Sequence, residues 1–130
     1  MSNQTETEAA YLRAALEFFE LALNRGDFTG ARAFIGPRYI QHNPEVADGY
    51  EAFAGFIGGL RAAFPKFRVE TVRSFADGEF VILHGRSHNG PTPNSEALVD
   101  IFRFEGGKIV EHWDVVQPIP DVSRNSNGIV

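Results

Sequence analysis

One hairpin in the last third of the sequence constrains this chain more than any other stretch. Within residues 97–116, two runs rich in Val, Ile, Phe and Trp flank a pair of adjacent glycines. This pattern predicts two antiparallel strands joined by a tight turn. The strand interiors nevertheless carry three polar groups, Asp100, His112 and Asp114. Ionisable side chains are seldom buried in strands unless they are paired or functional, so these three are the first candidates for a site.

The register of this hairpin decides whether the three polar groups meet. A two-residue loop at Gly106-Gly107 places Asp100 and Asp114 on opposite faces of the ribbon. A three-residue loop that starts one residue earlier ends in a bulge suited to glycine, and it pairs Asp100 with His112. Asp114 is then a diagonal neighbour on the same face, about 7 Å away. We favour the three-residue loop, because it gathers all three polar groups among apolar neighbours.

Composition limits the class of protein. With 130 residues, 43% hydrophobic and 22% charged, the sequence predicts one globular domain over 1–130, frayed at 1–6 and 121–130. No apolar run reaches the ~20 residues of a membrane span, and the polar first residues do not resemble a secretory signal. We therefore expect a cytoplasmic protein that does not bind membranes. A net charge of −5 without a basic cluster argues against nucleic-acid binding, and the lack of cysteine excludes disulfides and thiol catalysis.

Hydrophobic periodicity predicts three helices followed by four strands. Apolar residues recur at helical spacing over about 7–24 and 48–63, and a short helix is expected from Phe28 to Ile35. Strands are expected over 66–75, over 79–89 and in both arms of the hairpin. This order indicates an α+β domain, with three N-terminal helices packed on a curved, mainly antiparallel four-stranded sheet. Because the hairpin is apolar on both faces, a homodimer is expected to cover the second face.

Further candidate residues lie outside the polar trio. Residues 38–44 predict an extended segment or turn, because Pro44 restrains the residue before it, and this segment carries His42 and Asn43. Tyr11 lies on the buried side of the first helix, where its hydroxyl can point into a cavity. A surface turn and an ordinary core tyrosine explain these residues equally well. The other candidates for substrate binding are Tyr39, Phe102, Trp113 and His88.

Four short motifs resemble those of a known family. They are Tyr39-Ile-Gln-His-Asn-Pro44, Asp100-Ile-Phe-Arg103, Gly107-Lys-Ile109 and Glu111-His-Trp-Asp-Val115. Over nearly the whole chain, the sequence is similar to the SnoaL-like polyketide cyclase family of the nuclear transport factor 2-like superfamily. The resemblance implies a cone-shaped, cystatin-like α+β fold with an internal pocket, and often a dimer. It also implies an aspartate general base for intramolecular aldol closure, which matches Asp114 first and Asp100 second.

General-base chemistry suits the polar trio. Removing a proton next to a carbonyl group requires a carboxylate near the carbon and a donor near the oxygen, with no cofactor. In this hypothesis Asp114 or Asp100 is the base, and a histidine, His112 or His42, donates to the enolate. The substrate is then a small hydrophobic carbonyl compound that is cyclised or isomerised. Three alternatives stay open: a structural Asp–His pair, a non-catalytic ligand-binding module, and steroid or epoxide chemistry on the same scaffold.

Metal binding has less support from the positions of the four histidines. On a strand, His84 and His88 stand ~13 Å apart, which two zinc–nitrogen bonds of ~2.1 Å cannot close. A site built from His42, His112 and Asp114 has no supporting spacing. We therefore expect neither a metal nor a cofactor.

Overall fold

Helices cover one face of a curved, open, five-stranded mixed sheet in the computed structural model, which describes residues 4–130. The elements are α1 (Glu6–Phe19), a π-helical turn (Glu20–Asn24), α2 (Phe28–Arg32), β1 (Ile35–Gln41), α3 (Tyr50–Ala63), β2 (Arg68–Asp77), β3 (Phe80–His88), β4 (Glu96–Glu105) and β5 (Lys108–Pro118). The predicted α+β class is confirmed, with one strand more than expected. Part of the expected fraying falls on residues 1–3, which lie outside the described residues. Within 4–130, no helix is both long and apolar enough to cross a membrane.

The additional strand, β1, comes from the segment after α2. The sheet order is β1-β5-β4-β3-β2, in which β1 runs parallel to β5 and the other neighbours are antiparallel. The helix predicted from Phe28 to Ile35 was therefore too long, since α2 ends at Arg32. Gly36 and Pro37 do not favour a continued helix, and an edge strand tolerates a proline.

The first helix is fixed at both ends. Thr5 and Glu8 form a capping box, in which each side chain accepts a hydrogen bond from the other residue's backbone N–H. At the far end, the Asn24 side chain accepts from the Val69 N–H at 2.7 Å and donates to the Val69 carbonyl at 3.0 Å. This pairing joins the π-helical turn to β2 and places Leu23 over the inner face of the sheet.

Close packing of β2 against β3 depends on Gly85. The register shifts between Thr71 and Arg73, so β2 contains an irregularity opposite this part of β3. A Cβ atom on Gly85 would lie 1.9 Å from the Glu70 carbonyl oxygen. Only glycine allows the two backbones to approach in this way, and the local bend contributes to the curvature of the sheet.

The β4–β5 hairpin has neither of the registers considered from the sequence. Its loop contains two residues, Gly106 and Gly107, with φ of 59° and 80°. Positive φ at both positions is typical of a type I′ turn. The predicted three-residue loop is therefore wrong.

A bulge in β5 then changes the register by one residue. Phe104 pairs with Ile109, but Arg103 pairs with Glu111, so Val110 is the additional residue. Asp100 consequently faces Asp114, rather than His112 as predicted. Because side chains alternate along a strand, this shift still leaves Asp100, His112 and Asp114 on one face.

Candidate functional site

A cavity lies between the inner face of the sheet, α3 and the loop that follows β1. Its wider part has a volume of about 550 Å³. A narrow, deeper part of about 70 Å³ shares six lining residues with it. The shared residues are Leu23, Asn43, Phe56, Ile57, Asp100 and Asp114. Two carboxyl groups thus lie where an apolar cavity narrows, and Pro91 of the loop between β3 and β4 lines its wider part.

A buried chain of hydrogen bonds runs from Asp100 through His112 to Gln41. His112 Nε2 is 2.8 Å from Asp100 Oδ1, and His112 Nδ1 is 2.7 Å from Gln41 Oε1. Gln41 Oε1 also accepts from the backbone N–H groups of His42 and Asn43, so this atom is the amide oxygen. His112 Nδ1 must therefore carry a hydrogen. A second proton is then shared between His112 Nε2 and Asp100.

Burial favours retention of that shared proton. Asp100 is 7% exposed and His112 is 6% exposed. Burial raises the pKa of Asp100, and the nearby charge of Asp114 raises it further, whereas the hydrogen bond from His112 lowers it. We conclude that the Asp100–His112 pair holds a proton that it can donate to a bound molecule.

Asp114 has a different environment. The Asn43 amide donates to both of its carboxylate oxygens, at 2.8 and 3.1 Å. Asn43 is itself oriented, because its Oδ1 accepts from the Glu45 N–H at 2.8 Å. Both oxygens of Asp114 are therefore held by a donor, and the residue is half-buried in the cavity wall. A carboxyl group fixed by an amide thus lies opposite a pair that retains a proton.

Tyr39 brings a free hydroxyl to the deep part of the cavity. The residue is 3% exposed, and its hydroxyl oxygen makes no hydrogen bond of regular geometry with residues 4–130, although the Gln41 side chain is near enough to lower its pKa slightly. Its ring lies 6.5 Å from that of His112, and fully buried Phe102 packs 5.1 Å from the same imidazole. Burial and the charge of Asp100 raise the pKa of Tyr39 far above its ordinary value. The hydroxyl therefore stays protonated and can donate to a ligand.

His42 and Trp113 do not reach the cavity, although the sequence suggested both. They stack on each other with ring centroids 4.8 Å apart, and His42 Nε2 lies 2.7 Å from Glu111 Oε2. Trp113 and Glu111 alternate with His112 along β5, so they project from the outer face of the sheet. The expected roles of His42 as a donor and of Trp113 as a cavity wall do not fit this placement.

His88 and Tyr11 also lie away from the cavity. His88 is on the outer face of β3, where its Nε2 is 2.9 Å from Glu70 Oε1. Tyr11 stacks on Phe104 at 4.4 Å and belongs to the hydrophobic core. Neither residue lines the parts of the cavity described above, so the expectation that they bind substrate does not fit either.

Sequence reasoning overlooked Gln41, although it lies inside one of the quoted motifs. If residues 39–43 form an extended strand, alternation places Tyr39, Gln41 and Asn43 on one face and His42 on the other. The structure has this arrangement. The signal was available once the segment was treated as a strand.

The same trio is also the group best able to hold a metal among the described residues. One ligand atom from each of Asp100, His112 and Asp114 lies within 4.8 Å of the others. Both nitrogens of His112 are already hydrogen-bonded, and the Asn43 amide occupies the bidentate position on Asp114. A metal would have to displace these bonds, so the donor set fits proton transfer better than metal coordination.

Comparison with known proteins identifies the same architecture. The profile of a family described as "SnoaL-like domain" matches residues 15–112. AclR from Streptomyces galilaeus, a candidate hydroxylase, is 26% identical over 90% of this chain and 91% of that one, with a TM-score of 0.72. A candidate SnoaL-like polyketide cyclase from Jannaschia sp. CCS1 is 18% identical over 89% and 91%, with a TM-score of 0.75. IdmH, a candidate polyketide cyclase from Streptomyces antibioticus, is 20% identical over 82% and 91%, with a TM-score of 0.69. No curated protein matches the chain.

Proposed function

The chain belongs to the SnoaL-like domain family, and from this premise we propose that it is an enzyme acting on a small apolar carbonyl compound by aspartate general-base catalysis. The reaction is an intramolecular aldol cyclisation or an isomerisation. One observation carries the proposal: Asp114, which accepts hydrogen bonds from the Asn43 amide, faces Asp100, which shares a retained proton with His112. Two carboxyl groups in contrasting environments are suited to the separate roles of base and acid.

The proton transfers follow from these roles. The Asp114 carboxylate removes a proton from the carbon next to the carbonyl group, and the C–H electron pair forms the enolate. Tyr39 and the Asp100–His112 pair line the deep part of the cavity, and in this proposal they donate hydrogen bonds to the oxygen as it becomes negative. In an isomerisation Asp114 returns the proton to another carbon. In a cyclisation the carbanion attacks a second carbonyl group, whose C=O electron pair moves to oxygen, and the new alkoxide takes the proton that Asp114 removed, which restores the carboxylate.

Proton exchange tests the proposal without knowledge of the natural substrate. The acetyl protons of 4-acetylbiphenyl exchange in D₂O once an enolate forms, and NMR measures the rate. We expect the wild-type protein to accelerate exchange, and Asp114→Asn to lower the rate by at least ~100-fold with similar affinity for the ketone. Asp77→Asn makes the same change at the exposed end of β2 and serves as the matched control.

A non-catalytic binding module is the second candidate, because the cavity is mostly apolar and its polar groups are few. It predicts that the wild-type protein binds the ketone but leaves exchange at the buffer rate. That result would overturn the proposed reaction and leave the cavity as a binding site.

The outer face of the sheet supports a proposed homodimer. Val115 is 64% exposed and Phe75 is 54% exposed, so apolar surface remains uncovered in one chain. Light scattering should give the mass of a dimer, and Val115→Glu should shift it toward the monomer; a monomeric wild type would refute the dimer. The cytoplasmic location stays a prediction.

A further inference from the structure

The cavity contains more negative charge than the proposed reaction requires. Its wider part is lined by four acidic residues, Glu45, Glu96, Asp100 and Asp114, and by no Lys or Arg of the described chain. Asp100 and Asp114 are accounted for by the acid and base roles. Glu45 and Glu96 have no place in that chemistry.

Glu96 is the less usual of the two additional carboxylates. It lies on β4 two and four residues from Leu98 and Asp100, so it faces the cavity, and it is half-buried. Its backbone N–H donates to the Ser87 hydroxyl at 3.1 Å. No hydrogen bond or ion pair reaches its carboxylate anywhere in residues 4–130. A ligand cation that enters the cavity would therefore meet a carboxylate that no other side chain of the described residues neutralises.

A separate observation indicates that the cavity is a ligand site. Tyr39, 3% exposed, lines its deep end with a hydroxyl that has no partner in the described part of the chain. The Tyr39 hydroxyl can donate to an acceptor at the deep end, and Glu96 can pair with a cation in the wider part. A ligand with a carbonyl oxygen at one end and a positive charge at the other matches both groups.

We propose that the substrate is a carbonyl compound that also carries a cationic amine, and that Glu96 binds this amine in the wider part of the cavity. The inference rests on the proposed function, since it assumes that the carbonyl group lies at Asp114. Asp114 faces Asp100, which is four residues from Glu96, so the carbonyl and amine sites are separated by ~13 Å along the sheet. Phe67 lines the same wider part, and an aromatic ring there favours a cation.

Three matched probes test the charge preference. They are 4-acetylbiphenyls that carry an aminomethyl, a hydroxymethyl or a carboxyl group at the 4′ position, with charges of +1, 0 and −1. The biphenyl spacer is comparable in length to the separation of the two subsites. Affinity is measured by calorimetry and acetyl proton exchange by NMR, both with the wild-type protein and with Glu96→Gln.

We expect the wild-type protein to bind the amine most tightly and the carboxylate most weakly, with each step about three- to tenfold. Glu96→Gln should lower the affinity for the amine by a similar factor and leave the neutral probe unchanged. Glu17→Gln removes the same charge from an exposed position on α1, and it should change none of the three affinities.

Equal affinity for the three probes, or an amine preference that Glu96→Gln leaves intact, would overturn the inference. Either result is compatible with Asp114-dependent exchange of the neutral ketone, so it would leave the proposed reaction standing. Conversely, an amine preference without any exchange would refute the reaction and retain Glu96 as a cation-binding residue.

Discussion

Replacing Tyr39 with phenylalanine should make the protein more stable and less active. The substitution removes one hydroxyl group, which is buried and has no hydrogen-bond partner in residues 4–130. A buried, unsatisfied polar group costs ~1–3 kcal/mol, so its removal should raise the free energy of unfolding by about 1 kcal/mol. The same hydroxyl is the proposed donor to the enolate oxygen, and loss of such a donor lowers turnover by ~100- to 1000-fold.

Tyr50 provides a matched control for this test. It is also buried, at 8% exposure, but its hydroxyl donates to the Phe28 carbonyl. Tyr50→Phe should therefore lower the free energy of unfolding by about 1 kcal/mol and leave exchange unchanged. Urea denaturation measures stability, and acetyl proton exchange measures activity. If Tyr39→Phe loses stability as Tyr50→Phe does, the Tyr39 hydroxyl has a structural partner and our reasoning is wrong; an unchanged exchange rate would refute the donor role.

Other substitutions test the remaining parts of the structure. Because burial raises the pKa of Asp100, the native Asp100–His112 pair keeps a proton that the unfolded chain carries on histidine only below pH ~6.5. Stability should therefore fall as pH rises above ~6.5, by up to ~1.4 kcal/mol per pH unit. Urea titrations of Asp100→Asn should lack this slope; an identical slope would contradict the assignment. Gly85→Ala should lower the free energy of unfolding, measured in urea, by roughly 3 kcal/mol or more. Gly55→Ala, which has open space around its Cβ in α3, should raise it by up to about 1 kcal/mol. Equal effects of the two substitutions would refute the close approach of β2 and β3. His42→Ala should retain the wild-type rate of proton exchange, because the imidazole lies on the outer face. A large fall in that rate would show that His42 takes part in the reaction.

The fold and the polar trio could be predicted from the sequence because both depend on periodicity. Helical spacing located α1 and α3, and the alternation of β4 and β5 placed Asp100 and Asp114 within reach of one another. The error in register did not separate them. Register changes of two residues preserve the face on which a side chain lies, and the predicted and observed pairings differ by two.

The remaining residues of the site come mainly from β1, a strand that the sequence pattern does not predict. Gly36 and Pro37 interrupt β1, so its alternation was not recognised and His42 seemed as good a candidate as Asn43. Pairing of β1 with β5 turns Tyr39, Gln41 and Asn43 inward. The contacts of Gln41 and Glu96 depend on tertiary packing, which local patterns do not specify.

The pairing of Asp100 with Asp114 depends on one additional residue in β5, and this dependence can be tested directly. With a two-residue turn and no bulge, the intact chain would pair Asp100 with Trp113, and Asp114 would project from the outer face. Deletion of Val110 removes the additional residue itself, so a regular hairpin with the same two-residue turn again pairs Asp100 with Asp114. We therefore expect the deletion variant to keep acetyl proton exchange in the NMR assay. Loss of exchange in a variant that still folds, as checked by urea denaturation, would show that the register of the hairpin is not what positions the two carboxyl groups.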